Sequence, residues 1–180
     1  MRSLLPFALT AVIGLTLQAQ GRTLAPFVAT PGDVVDRMLQ LAGVGPRDVL
    51  YDLGCGDGRI VIAAASRFGA RGVGIDLDAD LVNQAQASAK AAGVDQRVSF
   101  RVQDAMTVDV SDATVVTLYL LSASNVALRP ILTRQLRPGA RIVSHSFAMG
   151  DWEPDAIDSF RDASGTSRTL YPWRADGRVH

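Results

Sequence analysis

The stretch VLYDLGCGDG, residues Val49–Gly58, decides the fold of this chain. Its first half is a short, mostly apolar run, which is typical of a buried strand, and its second half is a glycine-rich turn. An alanine-rich helix is predicted directly after the turn, from Arg59 to Phe68, with Gly69 at its end. A strand, a tight turn and a helix in this order begin a crossover unit that leads to a second, parallel strand.

The same alternation continues along the rest of the chain. Further strands are predicted over Gly72–Asp76, Val98–Val102, Thr114–Leu120 and Ile142–Phe147, and a closing antiparallel pair over Ile157–Arg161 and Arg168–Trp173. Helices are predicted between them: one capped by Thr30 with Pro31 at its first position, one capped by Asp78, and one broken near Pro130. The sequence therefore predicts a single-domain α/β fold, a Rossmann-like, doubly wound, mostly parallel sheet with an antiparallel strand pair at the C-terminus.

The first twenty residues differ from the rest of the chain. Arg2 is followed by a mostly apolar stretch from Leu4 to Leu17, which is the pattern of a secretory signal and is short for a membrane-spanning helix. Residues 1–20 are predicted to be a signal peptide or a membrane anchor, and residues 26–180 the folded domain. The protein is accordingly expected to be exported to the periplasm or anchored to a membrane, and anchoring on the cytoplasmic side is left open.

Composition excludes several classes of function. The 180 residues carry 18 basic and 18 acidic side chains, and this zero balance argues against a nucleic-acid partner, which usually requires a basic excess. A glycine-rich loop ending in Gly-Lys-Ser/Thr is absent, which excludes a P-loop nucleotide hydrolase. Two histidines and one cysteine are too few for a Cys/His structural zinc site, so no metal is predicted, and no intrachain disulfide is possible.

The glycine turn lies where doubly wound sheets bind ligands, at the carboxyl end of a strand. The dinucleotide fingerprint requires a third glycine one position after Gly58, and Arg59 stands there instead. Asp52, just before the turn, would repel a pyrophosphate and attract an ammonium or sulfonium group. Asp76, at the end of the second strand, is suited to ribose hydroxyls, and Asp104, at the end of the third, to the amine of adenine. Ribose, adenine and a cationic amino-acid tail together describe S-adenosylmethionine.

These residues define a predicted cofactor site. Each acid alone also has an ordinary explanation, since Asp76 could cap a helix and Asp104 could belong to a turn; three acids on successive strands beside a glycine loop are harder to explain in that way. Cys55 is interpreted as a small turn residue rather than a nucleophile. The predicted cofactor-binding residues are Asp52, Gly54, Cys55, Gly56, Asp76, Asp104 and Ala105.

The segment DLGCGDG, residues 52–58, resembles motif I of class I S-adenosylmethionine-dependent methyltransferases, and the likeness extends over roughly residues 26–155. The sequences PFVATP at 26–31, SHSF at 144–147 and DWEP at 151–154 are similar to a small branch of that superfamily. Its mitochondrial members methylate lysines of the c-ring protein of ATP synthase and of the ADP/ATP translocase. The resemblance implies methyl transfer and suggests a protein-lysine acceptor, while a small-molecule acceptor stays open. Those relatives also carry a hydrophobic N-terminal segment, so membrane association through the N-terminus is a further expectation.

One departure from related enzymes narrows the acceptor. After the fourth strand this chain reads YLLS, residues 119–122, where base and glutamine methyltransferases of the superfamily have Asn/Asp-Pro-Pro-Tyr/Phe. Its absence argues against methylation of DNA adenine or of glutamine. Tyr119 and His145, both predicted near carboxyl ends of strands, are the candidate catalytic residues that would orient or deprotonate a lysine amine.

Two alternatives belong to other classes of protein. The first is an exported binding protein that keeps the cofactor fold without turnover, because S-adenosylmethionine is made in the cytosol. The second, less favoured by the glycine spacing, is an NAD-dependent oxidoreductase.

Overall fold

The computed structural model describes residues 24–180. The predicted signal peptide or anchor at residues 1–20 lies outside this part. Between residues 24 and 180 there is no helix that combines the length and the apolar character needed to cross a membrane. The helices are α1 Gly32–Leu41, α2 Arg59–Phe68, α3 Ala79–Ala91 and α4 Ser122–Gln135; the strands are β1 Val49–Leu53, β2 Arg71–Asp76, β3 Val98–Val102, β4 Val115–Leu118, β5 Arg141–His145, β6 Asp158–Arg161 and β7 Ser167–Arg174.

The seven strands form one sheet in the order β3-β2-β1-β4-β5-β7-β6. The first five in that order are parallel, and β7 lies antiparallel between β5 and β6. The predicted α/β fold with its closing antiparallel pair is therefore confirmed. Because the chain proceeds from β1 to β2 on one side and returns to β4 on the other, a crevice opens at the carboxyl end of β1, where such sheets bind ligands.

Both faces of the sheet are covered by apolar side chains. On one face α1, α2 and α3 pack around Leu50, and on the other α4 packs around Leu53 and Leu118. Burial on both faces explains why β1 and β4 are almost wholly apolar rather than alternating. A polar side chain inside such a strand is then an exception that requires a specific reason.

The start of α1 differs from the prediction. Pro31 occupies the N-cap position rather than the first helical position, and the Thr30 side chain makes no capping hydrogen bond. The Thr30 carbonyl instead accepts a hydrogen bond of 2.9 Å from the Arg59 guanidinium. A tertiary contact with the following helix has displaced the local capping pattern by one residue.

The predicted break in α4 is also absent. The helix continues through Pro130 to Gln135. Proline removes one amide donor from a helix, but Leu128 and Leu132 on either side are fully buried, and their packing keeps the turn helical.

We expect Pro130→Ala to stabilise the protein by about 1–3 kcal/mol, because it restores the amide that a helix donates four residues back, here to Val126. Urea denaturation at pH 7 measures the change. Arg134→Ala, an exposed position on the same helix, is the control and should stay within about 0.5 kcal/mol of the wild type. A destabilised Pro130→Ala would show that the proline ring is itself needed for packing.

Candidate functional site

A cavity of about 440 Å³ lies at the carboxyl ends of β1, β2 and β4. Its walls come from the loop after β1, from the residues that follow β2, β3 and β4, and from residues 24–30. This is the crevice that the strand order creates, so the fold itself places the cavity next to the glycine turn.

The glycine turn is fixed against β2. Gly54 and Gly56 adopt φ values of 81° and 52°, a left-handed backbone that favours glycine. The amides of Gly54 and Cys55 donate to the Ile75 carbonyl at 2.8 and 3.0 Å, and the amide of Gly56 donates to an Asp76 carboxylate oxygen at 2.8 Å. The turn is therefore held rigidly by the neighbouring strand, and Asp76 is one of the groups that hold it.

Asp76 lies on the cavity wall between the turn and α3. Besides the Gly56 amide, its carboxylate accepts a hydrogen bond of 3.0 Å from the Asp78 amide. Asp78 also lines the cavity and caps α3, as predicted, by accepting from the amides of Asp80 and Leu81. Because each carboxylate oxygen accepts more than one hydrogen bond, Asp76 keeps acceptor capacity for a ligand.

Asp52 reaches the cavity from the buried interior of β1. Only 2% of it is exposed, and the hydroxyl of Thr117, its register partner on β4, donates to it at 2.7 Å. Burial raises the pKa of Asp52 to about 7, and the charges of Asp76 and Asp57 add to the effect while the Thr117 hydrogen bond opposes it. A cation that enters the cavity would favour the ionised form, so the Asp52 carboxyl is poised to respond to a positively charged ligand.

Asp57 and Arg59 form an ion pair at the edge of the cavity. The Arg59 Nε donates to Asp57 at 2.9 Å. Burial would raise the pKa of Asp57, but the hydrogen bond and charge of Arg59 together lower it, so this carboxyl is ionised at neutral pH. The cavity is thus lined by four carboxyl groups and one arginine, an excess that attracts cations: Asp52, Asp57, Asp76, Asp78 and Arg59.

Residues Leu24–Thr30, here called the strap, form one side of the cavity. The strap is held at both ends, by Arg59 at its Thr30 carbonyl and by the Ser124 hydroxyl at its Leu24 carbonyl. In the middle, the Phe27 ring covers Gly56 so closely that a Cβ there would collide with it. The strap therefore shields the glycine turn from water on one side.

Two predicted cofactor residues have different surroundings. Ala105 is buried and lines the cavity, as does its neighbour Gln103. The Asp104 side chain does not line it; its carboxylate accepts a hydrogen bond of 2.8 Å from the Met106 amide in the turn after β3. The structure thus brings the backbone around residue 104 to the cavity while the Asp104 carboxylate serves the turn.

Cys55 lines the cavity but is only 5% exposed. Burial raises the pKa of its thiol far above the ordinary range, so the reactive thiolate is not formed at neutral pH. This supports its interpretation as a small turn residue.

The two candidate catalytic residues occupy different layers. β4 ends at Leu118, earlier than predicted, and Tyr119 leaves the strand to line the cavity. His145 has no exposed surface and lies behind Tyr119, with 4.0 Å between the ring centroids. Neither of its ring nitrogens has a hydrogen-bond partner among residues 24–180, and burial lowers its pKa to about 4.

Sequence reasoning missed several residues of this site. Thr117 received no role beyond its place in an apolar strand, although a polar residue in VVTL beside the strand of Asp52 was a usable signal. Asp57 and Gln103 were not singled out, and the strap entered only as part of a resemblance.

Comparisons with known proteins agree with this geometry. A family model described as the ANTKMT methyltransferase domain matches residues 52–156. A protein-lysine N-methyltransferase of Saccharolobus islandicus is 42% identical over 147 residues, which cover 81% of this chain and 91% of that protein. The human lysine N-methyltransferase that acts on the c-ring protein of ATP synthase is 32% identical, with 84% of this chain and 69% of that protein covered.

A solved structure is also similar. It is described as an RNA methyltransferase from Salinibacter ruber in complex with S-adenosyl-L-homocysteine. The TM-score is 0.79 at 55% identity, and the match covers 85% of this chain and 97% of that one. Methyl transfer from S-adenosylmethionine is common to all of these relatives, whereas the acceptor differs between protein and RNA.

Proposed function

Since the chain belongs to the ANTKMT methyltransferase family and is a class I S-adenosylmethionine-dependent methyltransferase, we propose that it methylates the side-chain amine of protein lysines. The observation that carries this proposal is the 42% identity, over 81% of the chain, to a protein-lysine N-methyltransferase. The site supports it, because an acidic cavity beside Tyr119 suits a cationic amine. The alternatives of a binding protein without turnover and of an NAD-dependent oxidoreductase receive no support from these relatives.

We propose that the cofactor lies along the carboxyl ends of β1, β2 and β3. In this arrangement Asp52 faces its cationic amino-acid part, Asp76 accepts from the ribose hydroxyls, and Ala105 contacts the adenine. Gly54, Cys55 and Gly56 allow the close approach of the backbone. The chemistry of the residues fits this group, because the carboxyl excess of the cavity matches a ligand with an ammonium and a sulfonium charge.

The bound cofactor supplies an electrophilic methyl group on a sulfonium, which is already activated by its charge. The protein contributes positioning and the exclusion of water. We propose that Tyr119, which lines the cavity, orients the acceptor nitrogen, and that the strap keeps water from one side of the site. His145 is too weak a base to retain a proton taken from an ammonium group, because its pKa is lowered to about 4, so the lysine proton is released to solvent.

The acceptor can be identified with methyl-tritiated S-adenosylmethionine. The protein is incubated separately with unfolded total cell protein and with total RNA from the same cells, and the label is then tested for release by protease or by ribonuclease. We expect protease-sensitive label that disappears when the lysines of the extract are first acetylated. Label that enters RNA instead would refute the lysine proposal and favour the acceptor named for the Salinibacter relative.

We further propose that residues 1–20 direct the protein to a membrane or beyond it, on the sequence pattern alone. Fractionation of cells that express the full chain, followed by protease treatment of intact spheroplasts, tests this. We expect the protein in the membrane or periplasmic fraction, and recovery only in the cytosolic fraction would contradict the proposal.

A further inference from the structure

Three rings lie side by side at the carboxyl ends of β4 and β5. Tyr119 contacts His145 at 4.0 Å between centroids, and it also lies 6.5 Å from Phe147 with the ring planes 27° apart. Tyr119 and Phe147 are half-buried, whereas His145 has no exposed surface. The two accessible rings thus form an aromatic surface that extends from the cavity wall at Tyr119.

An unusual turn sets the position of Phe147. Ser146 has a φ of 66°, the one positive value outside glycine in residues 24–180. The Ser146 amide donates to the Thr169 carbonyl at 2.8 Å, and the Phe147 amide donates to the His145 carbonyl at 2.9 Å. Backbone in this region costs of order 1–3 kcal/mol for a residue with a side chain and persists only where the surroundings impose it.

Side chains from two other positions complete this restraint. The Phe147 carbonyl accepts from the Asn125 amide group at 2.9 Å and from the Ser144 hydroxyl at 2.6 Å. Asn125 and Ser144 are both fully buried. A strained turn held by buried polar groups presents Phe147 beside Tyr119 in a defined position, which a plain connection between β5 and β6 would not require.

An aromatic face suits the acceptor of this reaction. The negative face of a ring attracts an ammonium group without hydrogen-bonding to it, so a deprotonated nitrogen keeps its lone pair free for the methyl group. The attraction persists for methylated ammonium groups, which have fewer N–H groups to donate. The protein already uses this contact elsewhere, since the Arg37 guanidinium lies 4.5 Å above the Phe160 ring.

We propose that Tyr119 and Phe147 form the wall that binds the acceptor amine and its methylated products, and that Phe147 determines how many methyl groups one nitrogen receives. The inference rests on the proposed transfer to lysine. A wall that binds methylammonium well retains the partly methylated product for another round, whereas loss of the ring releases it after the first.

The test compares wild type, Phe147→Leu and Phe147→Tyr on peptide acceptors that contain unmodified, monomethylated or dimethylated lysine. Leucine keeps the apolar bulk and removes the ring. We expect Phe147→Leu to raise the KM about 5- to 30-fold, with the largest rise for dimethyllysine, and to shift the products towards monomethyllysine. Phe147→Tyr should behave like the wild type.

Two controls separate this result from a folding defect. Cofactor affinity by calorimetry should change less than about twofold in Phe147→Leu, and Phe160→Leu, a ring removed at the far edge of the sheet, should leave the product distribution unchanged. Equal KM values and products for wild type and Phe147→Leu would overturn the inference while leaving lysine methylation intact. A wild-type protein that methylates none of the lysine peptides would overturn both.

Discussion

Asp76→Ala is expected to lose about 100-fold or more of its affinity for S-adenosylmethionine, because hydrogen bonds to a charged acceptor contribute about 1.5–3 kcal/mol each. The variant removes the proposed acceptor of the ribose hydroxyls. It also leaves the amides of Gly56 and Asp78 without their acceptor, so the glycine turn loses its attachment to β2. Isothermal titration calorimetry with S-adenosylmethionine and with S-adenosylhomocysteine measures the loss.

The matched control is Asp80→Ala. Asp80 stands in the first turn of α3 and carries the same charge, but it does not line the cavity. Its removal should change cofactor affinity by less than about twofold. If Asp76→Ala bound the cofactor as the wild type does, the assignment of Asp76 to the ribose would be wrong.

Asp52→Asn is expected to make the protein more stable and a poorer binder of its cofactor. The pKa of Asp52 is raised from 3.8 to about 7, so in the unfolded chain it loses its proton at a lower pH than in the folded protein. The folded state therefore loses stability as pH rises from about 4 to 7, at roughly 1.4 kcal/mol per pH unit. Asparagine keeps an acceptor for the Thr117 hydroxyl and never becomes charged.

The gain in stability should thus grow by roughly 3 kcal/mol between pH 5 and pH 8, as measured by urea denaturation. Asp48→Asn is the control of opposite sign. Asp48 lies at the other edge of the sheet and bonds to Arg141 and Thr114, which lower its pKa despite partial burial, so its replacement should destabilise the protein at pH 8. A gain for Asp52→Asn that is the same at both pH values would contradict the burial of an ionisable carboxyl.

Cofactor binding gives an independent readout of the same proton. Below pH 7 the wild type must release a proton from Asp52 to bind a cation, so its affinity should fall by up to about tenfold per pH unit. Asp52→Asn should bind more weakly at pH 8 and show no such pH dependence. Asp48→Asn should bind as the wild type does, since Asp48 does not line the cavity.

Much of this architecture was predictable because it is written in short-range patterns. The strands β1 and β3 and the helix α2 have the predicted bounds, and Asp78 caps α3 as expected. The glycine turn follows from the same logic, since positive φ at Gly54 and Gly56 is a local requirement. The predicted cofactor, S-adenosylmethionine, is confirmed by the relatives, while the roles of the individual site residues stay predictions.

The errors arose where distant residues outweigh local preference. Thr30 fails to cap α1 because its segment is drawn to Arg59, and α4 passes through Pro130 because Leu128 and Leu132 are buried on both sides. The Asp104 carboxylate bonds to its own turn rather than facing the cavity. Each outcome depends on a neighbour that no local pattern contains.

The sequence by itself determined the order of strands and helices, the position of the glycine turn and the kind of ligand, because periodicity and residue type act over a few neighbouring residues. Only the tertiary structure decided the properties that depend on burial and on long-range contacts. It set Asp52 against Thr117 in a dry interior, which brings its pKa near 7, and it placed His145 behind Tyr119 rather than on the cavity. The free energy of a charge or a ring depends on what surrounds it, and those surroundings come together only when the chain folds.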